Sequence, residues 1–542
     1  MGRYTVMGFA LAVIAAGLVG PPALASVPTT VDTQSAPITA SERAGQRKAV
    51  GTLKVKVRGT GSYTVKGKGF RKTRRVSKAF KVKPGTYRVK ARRGSATPAK
   101  VRIRKGKTVR VTVKFKKKRN KTVAGAIQRI STTKNGTQAN DLSDPAKWSP
   151  RGDRIAFYSL ASNLVNGDTN DAFDLFVKNL ANGAVQRVNV DKDGRQANDV
   201  LRRSSTSFSW SPDGTRIAFA SKASNLVPGD TNQTSDVFVK DLASGAIQRI
   251  STDSNGNGAT SPCSACGSYD PAWSPDGRRI AFYSGASNLV PGDTNGRDDI
   301  FVKDLDGGAV TRITDIRGRE AVYYAAEQPA WSPDGTRIAF LSRAANLVPG
   351  DTNGSPDIFV KNLDSGVIDR INTDSNGNEA AFLESDWPVW SPDGTRIAFL
   401  SRAANLVPGD TNGLQDVFVK DLATGAIQRI NTDKDGRVGN MDVETLAWSP
   451  SGERIAFSSA AWNLLPGDTN RGIQQHVYVK DLATGAIQRV STDKHGVPSA
   501  WGTSLAPSWS PDGRRISFSS DAADLVPGDT NGEGDIFIKT LP

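Results

Sequence analysis

Six segments of the chain repeat the pattern Asp-x-Asn-x-x-x-Asp. They are Asp168, Asn170 and Asp174; Asp230, Asn232 and Asp236; Asp293, Asn295 and Asp299; Asp351, Asn353 and Asp357; Asp410, Asn412 and Asp416; and Asp529, Asn531 and Asp535. Carboxylate and amide oxygens at alternate positions of a tight loop suit a hard cation such as Ca²⁺, which takes ~6 to 8 oxygen ligands. The same residue types are also the ordinary turn formers, because their side chains bond nearby backbone N–H groups. The loops lack the central Asp and closing Glu of an EF-hand loop, so calcium sites and plain turns both stand as expectations. A seventh copy has Asp468 and Asn470, then an extra residue and His476 in place of Asp. A second acidic set includes Asp191-Lys192-Asp193-Gly194 and Asp253-Ser254-Asn255-Gly256.

Other catalytic groups are sparse. The two histidines are His476 and His495, read as surface residues in turns, and no Gly-x-Ser-x-Gly turn is present. The sequence after the last repeat leaves no room for a hydrolase domain, so a serine peptidase is not expected. A lyase or hydrolase built from loop carboxylates is the enzymatic alternative, although no two carboxylates pair uniquely. Cys263 and Cys266 form a Cys-x-x-Cys in a Ser/Gly-rich loop. Without a thioredoxin-like helix start, the expectation is a local disulfide, and two thiols are too few for a zinc site.

These groups need elements to hold them. At the N-terminus, Arg3, an apolar run from Met7 to Gly20 and Ala23-Leu24-Ala25 read as a signal peptide over residues 1–25. The run is shorter than the ~20 residues of a membrane span, so the mature protein is expected to be exported. The destination is secreted, extracellular or envelope-associated, periplasmic where an outer membrane exists. Both cysteines lie far from the cleavage site, which excludes a lipid anchor there. Residues 26–44, rich in Pro, Ser and Thr, read as a disordered linker.

Charge divides the rest. Residues 45–121 carry 30 Lys plus Arg and no Asp or Glu, whereas 122–542 hold 40 basic and 51 acidic residues. A formal net charge of +19 therefore joins a strongly basic module to an acidic one. The basic module alternates apolar Leu53, Val55 and Val57 with Lys54, Lys56 and Arg58, and Val109, Val111, Val113 and Phe115 with Arg110, Thr112 and Lys114. Period two with one apolar face predicts a small basic β-sandwich-like domain. The phrase Val82-Lys83-Pro84-Gly85-Thr86-Tyr87-Arg88-Val89 resembles the ending of PEGA-type bacterial surface modules, without their Pro-Glu-Gly-Ala signature. Thirty cations attract phosphate, but export argues against nucleic acid, and Tyr63, Phe70, Phe80, Tyr87 and Phe115 fall at or near apolar strand phases. The expected partner is an anionic wall polymer or lipid surface. The other reading is that the module docks on the acidic part of the same chain.

Residues 122–542 are a repeat. A Trp-Ser-Pro phrase recurs at Trp148, Trp210, Trp273, Trp331, Trp390, Trp448 and Trp509, at spacings of 58 to 63 residues. Each unit holds four short strands joined by turns, which predicts an all-β, seven-bladed β-propeller. The phrase Ala126-Ile127-Gln128-Arg129-Ile130 precedes any Trp-Ser-Pro, and the last unit stops at its third strand, Asp535 to Lys539. The N-terminal strand is therefore expected to complete the last blade and close the ring. The Trp-Ser-Pro-Asp-Gly-x-Arg-Ile-Ala-Phe unit resembles the propeller repeats of the TolB family, themselves similar to WD-type repeats. The resemblance implies propellers that bind proteins at envelope surfaces or gate peptidases.

In a four-strand meander the second-to-third-strand loops share a face with the blade-to-blade connections. Those connections carry Arg202, Arg203, Tyr269, Tyr323, Tyr324, Phe382, Trp387 and Trp501, residues with the aromatic and Arg character of binding hot spots. Some serve packing. The sequence thus predicts an exported binding scaffold, not an enzyme, presenting a protein- or glycan-binding face.

Overall fold

The computed structural model describes residues 51–115 apart from 59–62, 69, 75–77, 84, 92–93, 98–99 and 105–106, and residues 125–542 apart from 200–207, 261–266, 316–325, 382–383 and 469–473. Among them every regular element is a β-strand. The chain divides into two compact units between Thr122 and Val123.

The N-terminal unit is a pair of four-stranded sheets. One runs in the order Lys78–Val82, Gly51–Arg58, Thr108–Phe115, Gly94–Thr97, and the other Phe70–Arg74, Tyr63–Gly67, Gly85–Ala91, Lys100–Ile103. Leu53, Val55, Val111 and Val113 of the first sheet share one core with Tyr63, Val65, Tyr87 and Val89 of the second. Lys54, Lys56, Lys66, Lys81 and Lys90 alternate with these residues and are exposed. Tyr63, Phe80 and Tyr87 are buried, and so are core rather than stacking surface.

The second unit consists of seven antiparallel four-stranded sheets, each in simple sequence order. Blade one is Ser143–Trp148, Arg154–Ser159, Asp174–Asn179 and Val185–Arg187. The two middle strands of each blade are buried along nearly their whole length, because neighbouring blades cover both faces. Such strands read as apolar runs, not as alternation. Paired aromatics such as Phe399 and Phe418, centroids 5.8 Å apart, fill the space between them.

Blade seven closes as the repeat phase requires. Ile127–Arg129 pairs antiparallel with Asp535–Thr540, setting Arg129 opposite Phe537 and Ile127 opposite Lys539. Thr540 N–H donates to the Ala126 carbonyl at 2.8 Å, and Gly125 N–H to the Thr540 carbonyl at 3.0 Å.

The repeated tryptophan stitches blade to blade. At six of the seven junctions its indole N–H donates to a first-strand carbonyl of the preceding blade, as Trp390 does to Ala330 at 3.0 Å. At the same six, an arginine of the preceding blade lies over the indole and donates to a glycine carbonyl beyond it; Arg337 is 4.6 Å from the Trp390 ring and 2.9 Å from Gly394 O. Farther from the axis, a buried third-strand lysine of each blade reaches carbonyls of the preceding blade, as Lys420 does to Thr373 at 2.9 Å and Asp374 at 2.8 Å.

Candidate functional site

The acidic loops converge, and the cation they meet is an arginine. The fourth-strand Arg187 reaches Asp168 at 3.0 Å and Asp174 at 2.8 Å. Arg249, Arg312, Arg429 and Arg129 bridge the corresponding pairs Asp230/Asp236, Asp293/Asp299, Asp410/Asp416 and Asp529/Asp535 at 2.9 to 3.7 Å. Arg489 takes Asp468 where His476 replaces the second carboxylate. The loop asparagines turn their nitrogen, not their oxygen, to the carboxylate: Asn232 donates to Asp236 at 2.9 Å and Asn295 to Asp299 at 3.0 Å. Their oxygens accept backbone N–H two residues on, as Asn353 and Asn531 do at 2.8 and 3.1 Å, which is turn chemistry. Asn170 and Asn412 likewise donate to Asp174 and Asp416. Among the described residues one group, Asp351, Asp357 and Glu379, holds three ligand oxygens within 4.8 Å, a possible metal site. Arg370 sits on all three at 2.7 to 3.6 Å. Nothing in this geometry selects calcium.

His476 is not the surface residue expected. It is buried at the head of a third strand, 3.3 Å from Ser491 Oγ, and burial with Arg489 nearby lowers its pKa to about 4. A neutral imidazole there is a packing group. His495 is an exposed turn residue, as expected.

Of the expected binding residues, Arg202, Arg203, Tyr323, Tyr324 and Phe382 lie outside the described residues, as do Cys263 and Cys266. The other three do not form a patch. Trp387 is 4% exposed and packs against Val417, Val443 and Leu446; it is core, because a first-strand bulge turns it inward at φ 60°. Tyr269 is half-buried, its ring 5.3 Å from that of Tyr283. Trp501 is 77% exposed.

Sequence reasoning missed the chemistry at the start of the first strands. These strands surround the axis: a cavity of about 500 Å³ at their far ends is lined by the repeated tryptophans and prolines of all seven blades. Three or four residues before the tryptophan, roughly 10 Å along the strand at ~3.3 Å per residue, stand Asp270, Glu327, Asp386 and Glu444 in blades three to six. Asp270, Gln328, Trp387 and Ala506 have φ of 47° to 60° beside a register shift, so a bulge sets the aim of these side chains. Glu327 is half-buried, and burial followed by the charges of Asp270 and Asp298 raises its pKa to about 6. Asp298, before the third strand of blade three, is raised to about 6 by burial and Asp299. Asp386, which accepts from Gln415 Nε2 at 3.2 Å, is raised to about 7 by burial and Glu384. Burial raises Glu444 too. Burial and the charges of Asp270, Glu327 and Asp298 hold the Tyr283 hydroxyl protonated far above its ordinary range. Across blade two, Lys147 donates to Phe208 O at 2.6 Å; burial lowers its pKa to about 8, and Asp270 acts in the opposite sense. Arg343 and Arg402 pair with Glu384 and Asp442 at 2.9 and 3.0 Å on partly exposed side chains. The signal was present, since no turn or strand core calls for acids at those positions.

A carboxyl whose folded pKa lies above its unfolded value makes the folded state bind more protons, so stability is complete at low pH and lost as pH rises to the folded pKa. For Asp386 that window runs from about 4 to about 7. Asp386→Asn should therefore leave Tm unchanged at pH 4 and raise it by roughly 2 to 4 °C at pH 8, by calorimetry.

Blades of four meandering strands around an axis, closed by a strand from the other end of the chain, define a β-propeller. The propeller is TolB-like: a profile of the TolB beta propeller domain matches residues 175–408. The chain is 27% identical over 202 residues to dipeptidyl-peptidase 5 of Porphyromonas gingivalis, a match covering 36% of this chain and 26% of that protein. It is 35% identical over 100 residues to the Tol-Pal system protein TolB of Alcanivorax borkumensis, covering 18% of each. The chain thus spans about a quarter or less of the length of these curated relatives. Among solved structures, an oligogalacturonate lyase in complex with manganese aligns at TM-score 0.47 and 14% identity, over 77% of this chain and 93% of that one. The similarity to a dipeptidyl-peptidase corrects the expectation of a binding scaffold without catalysis and points to an enzyme.

Proposed function

We propose that this chain is an exported enzyme that cleaves an extracellular polymer, by hydrolysis or elimination, through carboxyl groups at the inner ends of blades three to five. The observation that supports it is the gathering of Asp270, Asp298 and Glu327 around Tyr283, with Asp298, Glu327 and Asp386 held at pKa values of about 6 to 7. Carboxyl groups poised near the working pH suit general acid–base catalysis. Glu327 is the proton donor, and Asp270 the neighbouring carboxylate that keeps it protonated. Arg343 and Arg402 lie close enough to Glu327 and Asp386 to lower their pKa values, and suit an anionic substrate or leaving group. The exposed lysines of the N-terminal unit suit an anionic wall polymer or lipid surface, which would hold the enzyme where its substrate lies. Among the described residues no helix is long and apolar enough to cross a membrane.

The test is to incubate the purified mature chain with acidic polysaccharides and with peptide-bearing wall polymer, reading new reducing ends, unsaturated ends and free amines. One class of new end should appear. Appearance of none with any polymer overturns the reading.

A further inference from the structure

One junction of the ring is not stitched. Between blades two and three the repeated contacts would join Trp273 to the Ser209 carbonyl and bring Arg216 over the Trp273 indole. Neither contact forms. Trp273 Nε1 has no hydrogen-bond partner, although the residue is fully buried. Arg216 Nη2 has none either; its guanidinium turns its Nε edge to Asp241, 3.9 Å away, on a side chain 12% exposed. Ser209 Oγ, fully buried beside them on the first strand of blade two, is the third polar atom there without a partner. An unmade buried hydrogen bond costs about 1–3 kcal/mol, more for a charged group, so three at one junction need a cause.

All three groups can donate: an indole N–H, a guanidinium N–H and a hydroxyl. The cavity beside them, about 500 Å³, is lined by Trp210, Trp273, Pro212 and Pro275 as well as by rings from the other blades. Donors with one positive charge recognise an anionic acceptor, and flat tryptophan and proline surfaces accept an apolar ring. We propose that the junction between blades two and three is a binding site for a carboxylate carried on a ring, with Arg216, Trp273 and Ser209 as its hydrogen-bond donors. The carboxylate takes the place of the carbonyl acceptors used at the other junctions, and the ring lies against the tryptophan–proline rim. This site lies at the opposite end of the first strands from the acidic residues, and it stands whether or not those residues catalyse.

The repeat supplies its own control. The same indole and arginine are satisfied at six junctions, so a ligand of this kind should act on the seventh alone. The probe is benzoate, with benzyl alcohol as the ring without the charge, added to ¹⁵N-labelled mature chain. The ten tryptophans give distinct indole N–H signals, and loss of one in Trp273→Phe assigns it. Benzoate should move the Trp273 signal saturably and leave those of the stitched tryptophans in place. Arg216→Gln should weaken the effect by about tenfold or more, with the other indole signals reporting an intact fold. Ser209→Ala, a smaller change, should weaken it less. The proposal is overturned if no indole signal moves, if benzyl alcohol moves the Trp273 signal as far as benzoate does, or if the stitched tryptophans shift equally.

Discussion

Deletion of residues 122–132 should lower the melting temperature of the protein by about 10 °C, or cause aggregation, although it removes no residue of the first six blades. The segment supplies the fourth strand of blade seven, pairing Arg129, Gln128 and Ile127 with Phe537, Ile538 and Lys539. It also supplies Arg129, 3.3 Å from both Asp529 and Asp535, whose side chains are 3% and 0% exposed. Removing one partner of a buried ion pair leaves uncompensated charge and costs about 3–5 kcal/mol. Ser131, hydrogen-bonded to Asp535, goes with it, and an unpaired strand edge is left open to other chains. Together these exceed about 5 kcal/mol, which at ~2 °C per kcal/mol gives the shift stated. A truncated chain that melts with the parent would show that the ring is not closed by this strand.

Glu327→Gln should reduce cleavage of the responsive polymer by about 10² to 10⁴-fold, the usual contribution of a positioned acid or base. The melting temperature should stay within about 2 °C of the parent, because glutamine is close in shape to the protonated carboxyl that the site already favours. Asp270→Asn removes the charge that keeps Glu327 protonated, so its effect should be largest at neutral pH and small at pH 5. A Glu327→Gln protein that turns over at the parental rate would transfer the chemistry elsewhere in the chain.

The fold was legible because its signals repeat in register. The tryptophan spacing, the turn after it and the orphan strand at Ala126 to Ile130 each carry one inference, and they agree. The candidate site was legible only in part. The acidic loops announced a cation, but sequence spacing says nothing of which residue arrives from the next strand, and it is the fourth-strand arginine. Trp387 seemed a surface aromatic because it lies between blades in sequence, whereas a bulge at positive φ carries it into the core. Asp270, Glu327 and Asp386 were overlooked for the opposite reason: they sit inside the strand phase, where a reader expects packing. Their spacing before each tryptophan was visible, but its meaning depends on the first strands surrounding the axis. Burial near like charges, which sets their acidity, appears only once the blades are assembled around it.

The acidic mouth is the centre of this account, and the pH dependence of polymer cleavage tests it most directly. With Glu327 at a pKa of about 6 and required as an acid, kcat should fall about tenfold per pH unit above that value. Cleavage that stays level from pH 6 to pH 9, or that rises across that range, would contradict a protonated Glu327 as the donor.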